Sequence, residues 1–362
     1  MTNGFPLRNP MAQTSFLKEA QFYEQKDGKK VQCLLCAHNC IIAEGKVGIC
    51  SVRKNVGGKL YSLVYGKASS ISADPVEKKP LYHFYPGSSV LSFGTVGCNL
   101  KCQYCQNWRI SQVKPEDYDL RVMGTAEQIL SQIRRYTCSG VAFTYNEPTI
   151  WYEFAYDICR VVKAKDYYTI FVSNGYINPE PLKKIAPYLD AINIDLKAIS
   201  EEQYVKMSKA RMQPVLDTLK LAHELGLHIE LTTLVVPGFN DSPEDIKRIA
   251  DWTLENLGSE IPVHLTRYHP DYHYDAPATP IQTLIRSFEV AKKAGLDYVY
   301  LGNIMKTDYE NTRCSQCSNL LVKRRTKFIE RLYKQENGKV SCPKCSNEIP
   351  IIDRRRKIIS KR

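Results

Sequence analysis

Eleven of the chain's thirteen cysteines fall in three tight groups, and this arrangement limits the fold more than any other feature. The groups are Cys33, Cys36, Cys40 and Cys50, then Cys98, Cys102 and Cys105, and finally Cys314, Cys317, Cys342 and Cys345. In a small secreted chain so many cysteines would mean disulfides, whereas in a cytosolic chain of 362 residues they mean metal binding or redox chemistry. The opening MTNGFPLRNPMAQTSF lacks the charged-then-apolar order of a secretory signal, and no run of eighteen apolar residues follows. A cytoplasmic protein without a membrane partner is expected. Cys138 and Cys159 stand apart in apolar or helical stretches, where a buried packing role is expected.

Between the outer groups, short β-branched runs alternate with segments of helical period, the pattern of repeated βα units around a parallel sheet. Strands are expected at residues 90–96, 141–145, 168–174, 191–197, 228–237, 263–269 and 298–303. Helices are expected in AEQILSQIRRY, IWYEFAYDICRVVKAK, PVLDTLKLAHELG and SPEDIKRIADWTLENLG; the last opens on a Ser-x-x-Asp cap and closes on Gly258. Seven strands are too few for a complete eight-stranded barrel, so a partial (β/α) barrel is the natural closure. In such folds the chemistry lies at the carboxyl ends of the strands.

The segment GCNLKCQYCQN places Cys98-x3-Cys102-x2-Cys105 just beyond the first expected strand. A 4Fe-4S cluster takes four cysteines, one per iron, so three leave one iron open to chelate the amino and carboxylate groups of a methionine-like ligand. Structural zinc would need a fourth ligand, and no fourth cysteine is nearby.

The CxxxCxxC spacing, with the aromatic Tyr104 before its last cysteine, resembles the signature of the radical S-adenosylmethionine (SAM) superfamily. More closely, DPVEKKPLYHFYPG, FTYNEPTIWYE, AINIDLKA, TTLVVPGFND, PVHLTRYHPDY and YVYLGN together resemble the AmmeMemoRadiSam family, relatives of pyruvate formate-lyase activating enzyme. The resemblance implies an α/β fold: a partial (β/α)6-type radical SAM barrel over residues 86–305. An N-terminal Cys-rich metal-binding segment would occupy residues 1–85, and a C-terminal zinc-ribbon-like module residues 306–362.

It also implies a 4Fe-4S cluster on Cys98, Cys102 and Cys105, and SAM contacts from Tyr104, Glu147, Ser173, Asn174 and Asp195. Lys197 and His269 would line the same cavity. Tyr145 and Asn146 depart from the two glycines that usually precede the superfamily's Glu. Each residue also has a plainer role: Glu147 before Pro148 as a helix-initiating acid, Asp195 and Lys197 as a solvent-facing pair, His269 as a loop histidine. The aromatic loop PLYHFYPGS, with Tyr82 and His83, reads as a seal on the barrel bottom.

Cys33, Cys36, Cys40 and Cys50 form a closed set that takes either zinc or a second 4Fe-4S cluster, with His38 either a substitute ligand or a neighbour. Cys314-x2-Cys317 and Cys342-x2-Cys345, separated by 24 residues, read as a zinc ribbon. Charge is concentrated there. Of the net +12, residues 313–362 carry 15 Lys and Arg against 4 Asp and Glu, while the rest is close to neutral. KRRTK at 323–327 and RRRK at 354–357, with Phe328 and Tyr333, offer a surface for nucleic acid such as tRNA, or are simply solvated.

The leading expectation is an enzyme that cleaves SAM to methionine and a 5′-deoxyadenosyl radical, which abstracts hydrogen from a substrate. It implies ferredoxin or flavodoxin as the low-potential donor. Three substrate classes stand beside one another: a protein glycine, as for a glycyl-radical-enzyme activase; tRNA or other nucleic acid; and a small molecule shared with Memo-type and AMMECR-type proteins. A non-catalytic metal-binding scaffold for nucleic acid is the competing class.

Overall fold

A computed structural model describes residues 17–304, 307–325 and 328–353. The RRRK segment at 354–357 and Thr326 and Lys327 of KRRTK lie outside the described residues, and the side chain of Phe328 is not described. Among the described residues no helix is long and apolar enough to cross a membrane.

The centre is one eight-stranded sheet. Strand β1 (Ser70–Pro75) runs antiparallel to β2 (Ser89–Gly94), after which β3 (Gly140–Phe143), β4 (Tyr168–Ser173), β5 (Ala191–Asp195), β6 (His228–Val235), β7 (Val263–Arg267) and β8 (Val299–Gly302) follow in parallel and in chain order. Six crossovers carry helices α1 (Ala126–Arg135), α2 (Tyr152–Lys163), α3 (Pro179–Ile185), α4 (Gln213–Glu224), α5 (Pro243–Asn256) and α6 (Ile281–Ala294). Six βα units and a closing strand make the expected partial barrel, its strands buried on both faces as parallel sheets require.

Local chemistry explains the helix ends. Thr125 and Gln128 form a reciprocal capping box at α1, and Ser242 accepts the Asp245 N–H at α5. Gly258, two residues past α5, has φ +99°, which a residue with a Cβ would adopt only with strain. Each expected strand is present but ends one or two residues early, so that Asn174, Lys197 and His269 lie in the loops above the sheet.

The amino-terminal segment adds two small antiparallel sheets; Cys33 ends one of their strands, and Cys36, Cys40 and Cys50 lie in the connecting loops. It is anchored to the barrel by Arg53, whose guanidinium meets both carboxylate oxygens of Glu153 on α2 at 3.0 and 3.1 Å in a buried pair. The carboxyl-terminal module is two three-stranded sheets, each with a CxxC turn. It packs Leu321, Val322, Val340 and Ile349 against Tyr82, Tyr298 and Tyr300, at the amino ends of the barrel strands.

The loop with Tyr82 and His83 lies between module and barrel. The buried carboxylate of Glu230 on β6 accepts the N–H groups of Tyr82 (2.8 Å) and His83 (2.7 Å), and also Nε2 of His228 (3.0 Å) and His264 (2.7 Å). Because an ionised carboxylate only accepts, both histidines present Nε2–H to it. Arg324 of the module is buried and donates to the carbonyls of Tyr82 and Glu310 and to Thr312 Oγ1. Cys138 and Cys159 are buried in the main core.

Candidate active site

At the carboxyl ends of the strands the barrel encloses a cavity of about 600 Å³, within the range of small-molecule sites. Three cysteines line it: Cys98, Cys102 and Cys105. The loop that carries them is fixed from several sides. Asn146 accepts the Thr95 N–H (3.1 Å) and donates to the Gly97 carbonyl (2.9 Å), while Lys101 and Gln103 donate their N–H groups to the carbonyls of Ser208 and Met207.

Each thiol has polar company. Leu100 N–H and Asn174 Nδ2 lie 3.4 and 3.6 Å from Cys98 Sγ, Ser208 Oγ lies 3.4 Å from Cys102 Sγ, and Ser111 Oγ lies 3.1 Å from Cys105 Sγ. Burial, and then the Glu147 charge, hold the Cys98 thiol well above its ordinary pKa. Such a group becomes a thiolate by binding metal.

Glu147 lies at the end of β3 on the cavity wall and is buried. It is also the cap of the following turn, so the plainer role and the cavity position coexist: Oε1 accepts Thr149 N–H (2.9 Å) and Ser173 Oγ–H (2.8 Å), and Oε2 accepts Asn174 N–H (2.8 Å). Burial raises its pKa, and these three donors oppose the shift. Ser173 and Asn174, expected to touch SAM, therefore also hold Glu147. The Asn174 amide donates to Asn99 Oδ1 at 2.8 Å, tying the end of β4 to the cysteine loop.

The two positions that depart from glycine have a local explanation. Tyr145 has φ +73°, a backbone region glycine enters freely and tyrosine only at a cost. Its hydroxyl donates to Asp74 Oδ2 (2.7 Å) and its ring lies 4.5 Å from Lys79 Nζ, contacts that hold the residue in place. Asn146 contributes the loop pins described above.

Tyr104 is buried against Phe239, with ring centroids 5.5 Å apart, and lines the cavity. Asp195 and Lys197 line it as an ion pair of 3.0 Å. Burial would lower the Lys197 pKa, but Asp195 and, after it, Cys102, Tyr104 and Tyr204 together outweigh it and hold the ammonium well above its ordinary value. His269 is exposed and is not among the residues that line the cavity.

The opposite wall is built from residues to which the sequence reading gave no role. Asp74 on β1 accepts from Lys79 (2.9 Å), Lys78 (3.2 Å) and Tyr145. Burial alone would raise the Asp74 pKa; the Tyr145 hydroxyl and the lysines reverse that and hold it far below the carboxylate range. Two cations against one anion leave this wall net positive. The available signal was the DPVEKKP block, in which Asp74, Lys78 and Lys79 stand within six residues. Ser111, Ser208 and Gln106 were also missed, and a serine or glutamine outside a motif gives no local signal.

The cavity fits a three-cysteine iron-sulfur cluster with its cosubstrate. It offers three thiols and not four, the volume of a small-molecule site, and a buried Gln106 Nε2 that has no partner among the described residues. A partial barrel with such a site at its mouth defines an enzyme of SAM-dependent radical chemistry, and residues 93–253 match the model of the radical SAM superfamily. Residues 93–253 thus carry a radical SAM domain, and the chain is related to the pyruvate formate-lyase activating enzymes.

An uncharacterized protein of Methanocaldococcus jannaschii is 43% identical over 337 residues, which span 93% of this chain and the whole of that protein. A pyruvate formate-lyase-activating enzyme of Clostridium pasteurianum is 26% identical over 182 residues, 48% of this chain and 72% of that one. Among solved structures, a domain of pyruvate-formate lyase-activating enzyme from Bacteroides vulgatus matches 46% of this chain and 99% of its own with a TM-score of 0.41 and 16% identity.

The four cysteines of the carboxyl-terminal module form a metal-binding set. Their sulfurs all lie within 4.8 Å of one another, with Cys314 to Cys345 and Cys317 to Cys342 each at 3.6 Å.

Proposed function

We propose that the enzyme binds SAM over a 4Fe-4S cluster on Cys98, Cys102 and Cys105 and directs the resulting radical at a substrate held against the Asp74, Lys78 and Lys79 wall. When bound, the cluster and SAM supply reductive cleavage to methionine and a 5′-deoxyadenosyl radical, the hydrogen-abstracting species. The observation that carries this reading is three converging thiols, with no fourth, in one cavity at the strand ends.

Glu147 keeps lone pairs on both oxygens and accepts the methionyl ammonium. Ser173 and Asn174 fix it for that task, Tyr104 closes the wall beside Cys105, and Asp195 and Lys197 bound the nucleoside end. The barrel confines the radical and keeps water from it. The net positive wall favours a substrate with an anionic group. The chain's other finer features are read on the same footing: membership of the AmmeMemoRadiSam family, zinc in the ribbon, a ferredoxin or flavodoxin donor and a cytoplasmic location.

The nucleic-acid reading has less support, because Arg324 of the basic stretch is buried in docking the ribbon beneath the barrel, away from the cysteine loop. A glycyl-radical activase shares the same first step and differs only in the hydrogen donor.

The test is anaerobic reconstitution followed by dithionite and SAM. Wild type should release 5′-deoxyadenosine and Cys102→Ala none. The anionic small-molecule fraction of cell extract should stimulate release and Lys78→Ala should blunt that stimulation. Equal release from wild type and Cys102→Ala would overturn the proposal.

A further inference from the structure

The two tetracysteine sets differ in how closely their sulfurs gather. Zinc with four thiolates at about 2.3 Å brings the sulfurs to about 3.8 Å from one another, close to the pairs seen in the ribbon. A 4Fe-4S cluster hangs each thiolate on a different iron and separates the sulfurs to about 6 Å. Among the described residues the ribbon is the single group of three or more His, Cys, Asp or Glu ligands gathered within 4.8 Å.

Cys33, Cys36, Cys40 and Cys50 nevertheless line one small void together. They converge, as Cys98, Cys102 and Cys105 do, without closing to the size of one ion.

The surroundings of this void suit an anionic cluster. Its wall includes Leu35, Ile42 and Ile150, and also Arg53, a buried cation whose Nε has no partner among the described residues. The Arg53 Nη1 and Nη2 are tied to Glu153 and the Gln21 carbonyl, while Nε–H is left without a partner among the described residues.

The void also abuts the radical site. Gly97, which precedes Cys98, has φ +86°, and a Cβ built there would lie 2.5 Å from the Cys50 carbonyl oxygen and 2.7 Å from Val52. His38 Nε2 lies 2.7 Å from the carbonyl oxygen of Asn99, the residue after Cys98, and Asn99 itself lines the void. The two cysteine loops touch, so an electron moving between them crosses no solvent. On the far side Cys40 is half-buried and Ile41 and Ile49 are exposed.

We propose that Cys33, Cys36, Cys40 and Cys50 hold a second 4Fe-4S cluster that relays electrons to the cluster on Cys98, Cys102 and Cys105. A low-potential one-electron protein donor reduces the outer cluster from 2+ to 1+. The electron then passes inward, which returns the outer cluster to 2+ and reduces the inner one by one unit. The relay rests on the reading of the inner site as SAM-cleaving; the outer cluster does not.

The experiment is iron, sulfide and zinc analysis with EPR on full-length, anaerobically reconstituted protein. Wild type should hold about eight irons, and a Cys98→Ala/Cys102→Ala/Cys105→Ala variant about four, as befits one remaining cluster. The reduced signal of that triple variant should not respond to SAM, since four cysteines leave no iron open. A Cys36→Ser variant should lose 5′-deoxyadenosine formation more severely with reduced flavodoxin than with dithionite.

A triple variant with no iron and two zincs per chain would overturn the outer cluster. Equal losses with the two reductants would overturn the relay. Wild type that forms no 5′-deoxyadenosine while the triple variant still holds four irons would overturn the SAM reading and its relay but leave the outer cluster standing.

Discussion

Glu147 shows how one side chain is committed to structure and to a ligand at once. Three donors converge on its buried carboxylate, so Glu147→Ala leaves Thr149 N–H, Asn174 N–H and the Ser173 hydroxyl without their acceptor. The expected loss is on the order of 3 kcal/mol in chemical denaturation, together with weaker SAM binding. Ser173→Ala removes one of the three donors, should cost about 1 kcal/mol, and should weaken SAM binding less than Glu147→Ala does. Asn174 acts on the neighbouring sulfur. Its amide near Cys98 would stabilise the more negative, reduced state of the proposed inner cluster, so Asn174→Leu should shift that cluster's midpoint potential to more negative values in an EPR-monitored redox titration. An unchanged potential would remove the amide's assigned role. Of these residues Glu147 was legible through the resemblance of its TYNEP block and its position past a strand end; that Asn174 also grips Asn99 and Cys98 was not, since those partners lie about 75 positions away.

Among elements, the parallel strands were legible and the strand beside them was not. The seven parallel strands announce themselves as β-branched runs between helical segments, a pattern that buried parallel sheets impose. SISADP, which forms β1, is an edge strand held only by its antiparallel register with β2 from Ser70 opposite Gly94 to Pro75 opposite Ser89. Nothing in six residues ending in proline advertises that partner, and with β1 the sequence reading also lost Asp74 and its wall of the cavity. The ribbon is a second case. Paired CxxC turns made it recognisable, but its seat did not follow from them, because Arg324 in a run of basic residues looks like a solvated charge. Its guanidinium instead lies 4.1 Å from the Tyr82 ring and is hydrogen-bonded to two carbonyls and a hydroxyl. Arg324→Met should therefore cost on the order of 3 kcal/mol and open the ribbon to limited proteolysis, while leaving its metal content intact. Resistance equal to wild type would mean that docking does not depend on this residue.

At the scale of the molecule, the barrel has a catalytic mouth and a sealed base, and the base has its own pH signature. Burial alone would raise the pKa of Glu230, but hydrogen bonds from His228 and His264 more than reverse that and hold it well below the carboxylate range. A carboxylate whose folded pKa lies below its unfolded value stabilises the fold fully above the unfolded value, about 4.3, and loses that contribution as pH falls toward the folded one. Wild type should therefore lose stability below about pH 4 more steeply than Glu230→Gln, while at neutral pH the variant should be the less stable of the two. Urea titrations at several pH values measure both, and parallel pH profiles would rule out the linkage.

The sequence by itself determined the partial barrel, the three-cysteine loop at its mouth and the metal-binding set of the ribbon, because strand period, cysteine spacing and strand-end position are all properties of short stretches of chain. Tertiary structure decided which charges meet: Arg53 with Glu153, Lys79 with Asp74, Arg324 with the Tyr82 loop, Glu230 with two histidines. It also decided that Cys50 lies against Gly97, the residue before Cys98. These pairings need residues far apart in the chain to be desolvated together, and the energy that selects them exists only once the barrel has closed.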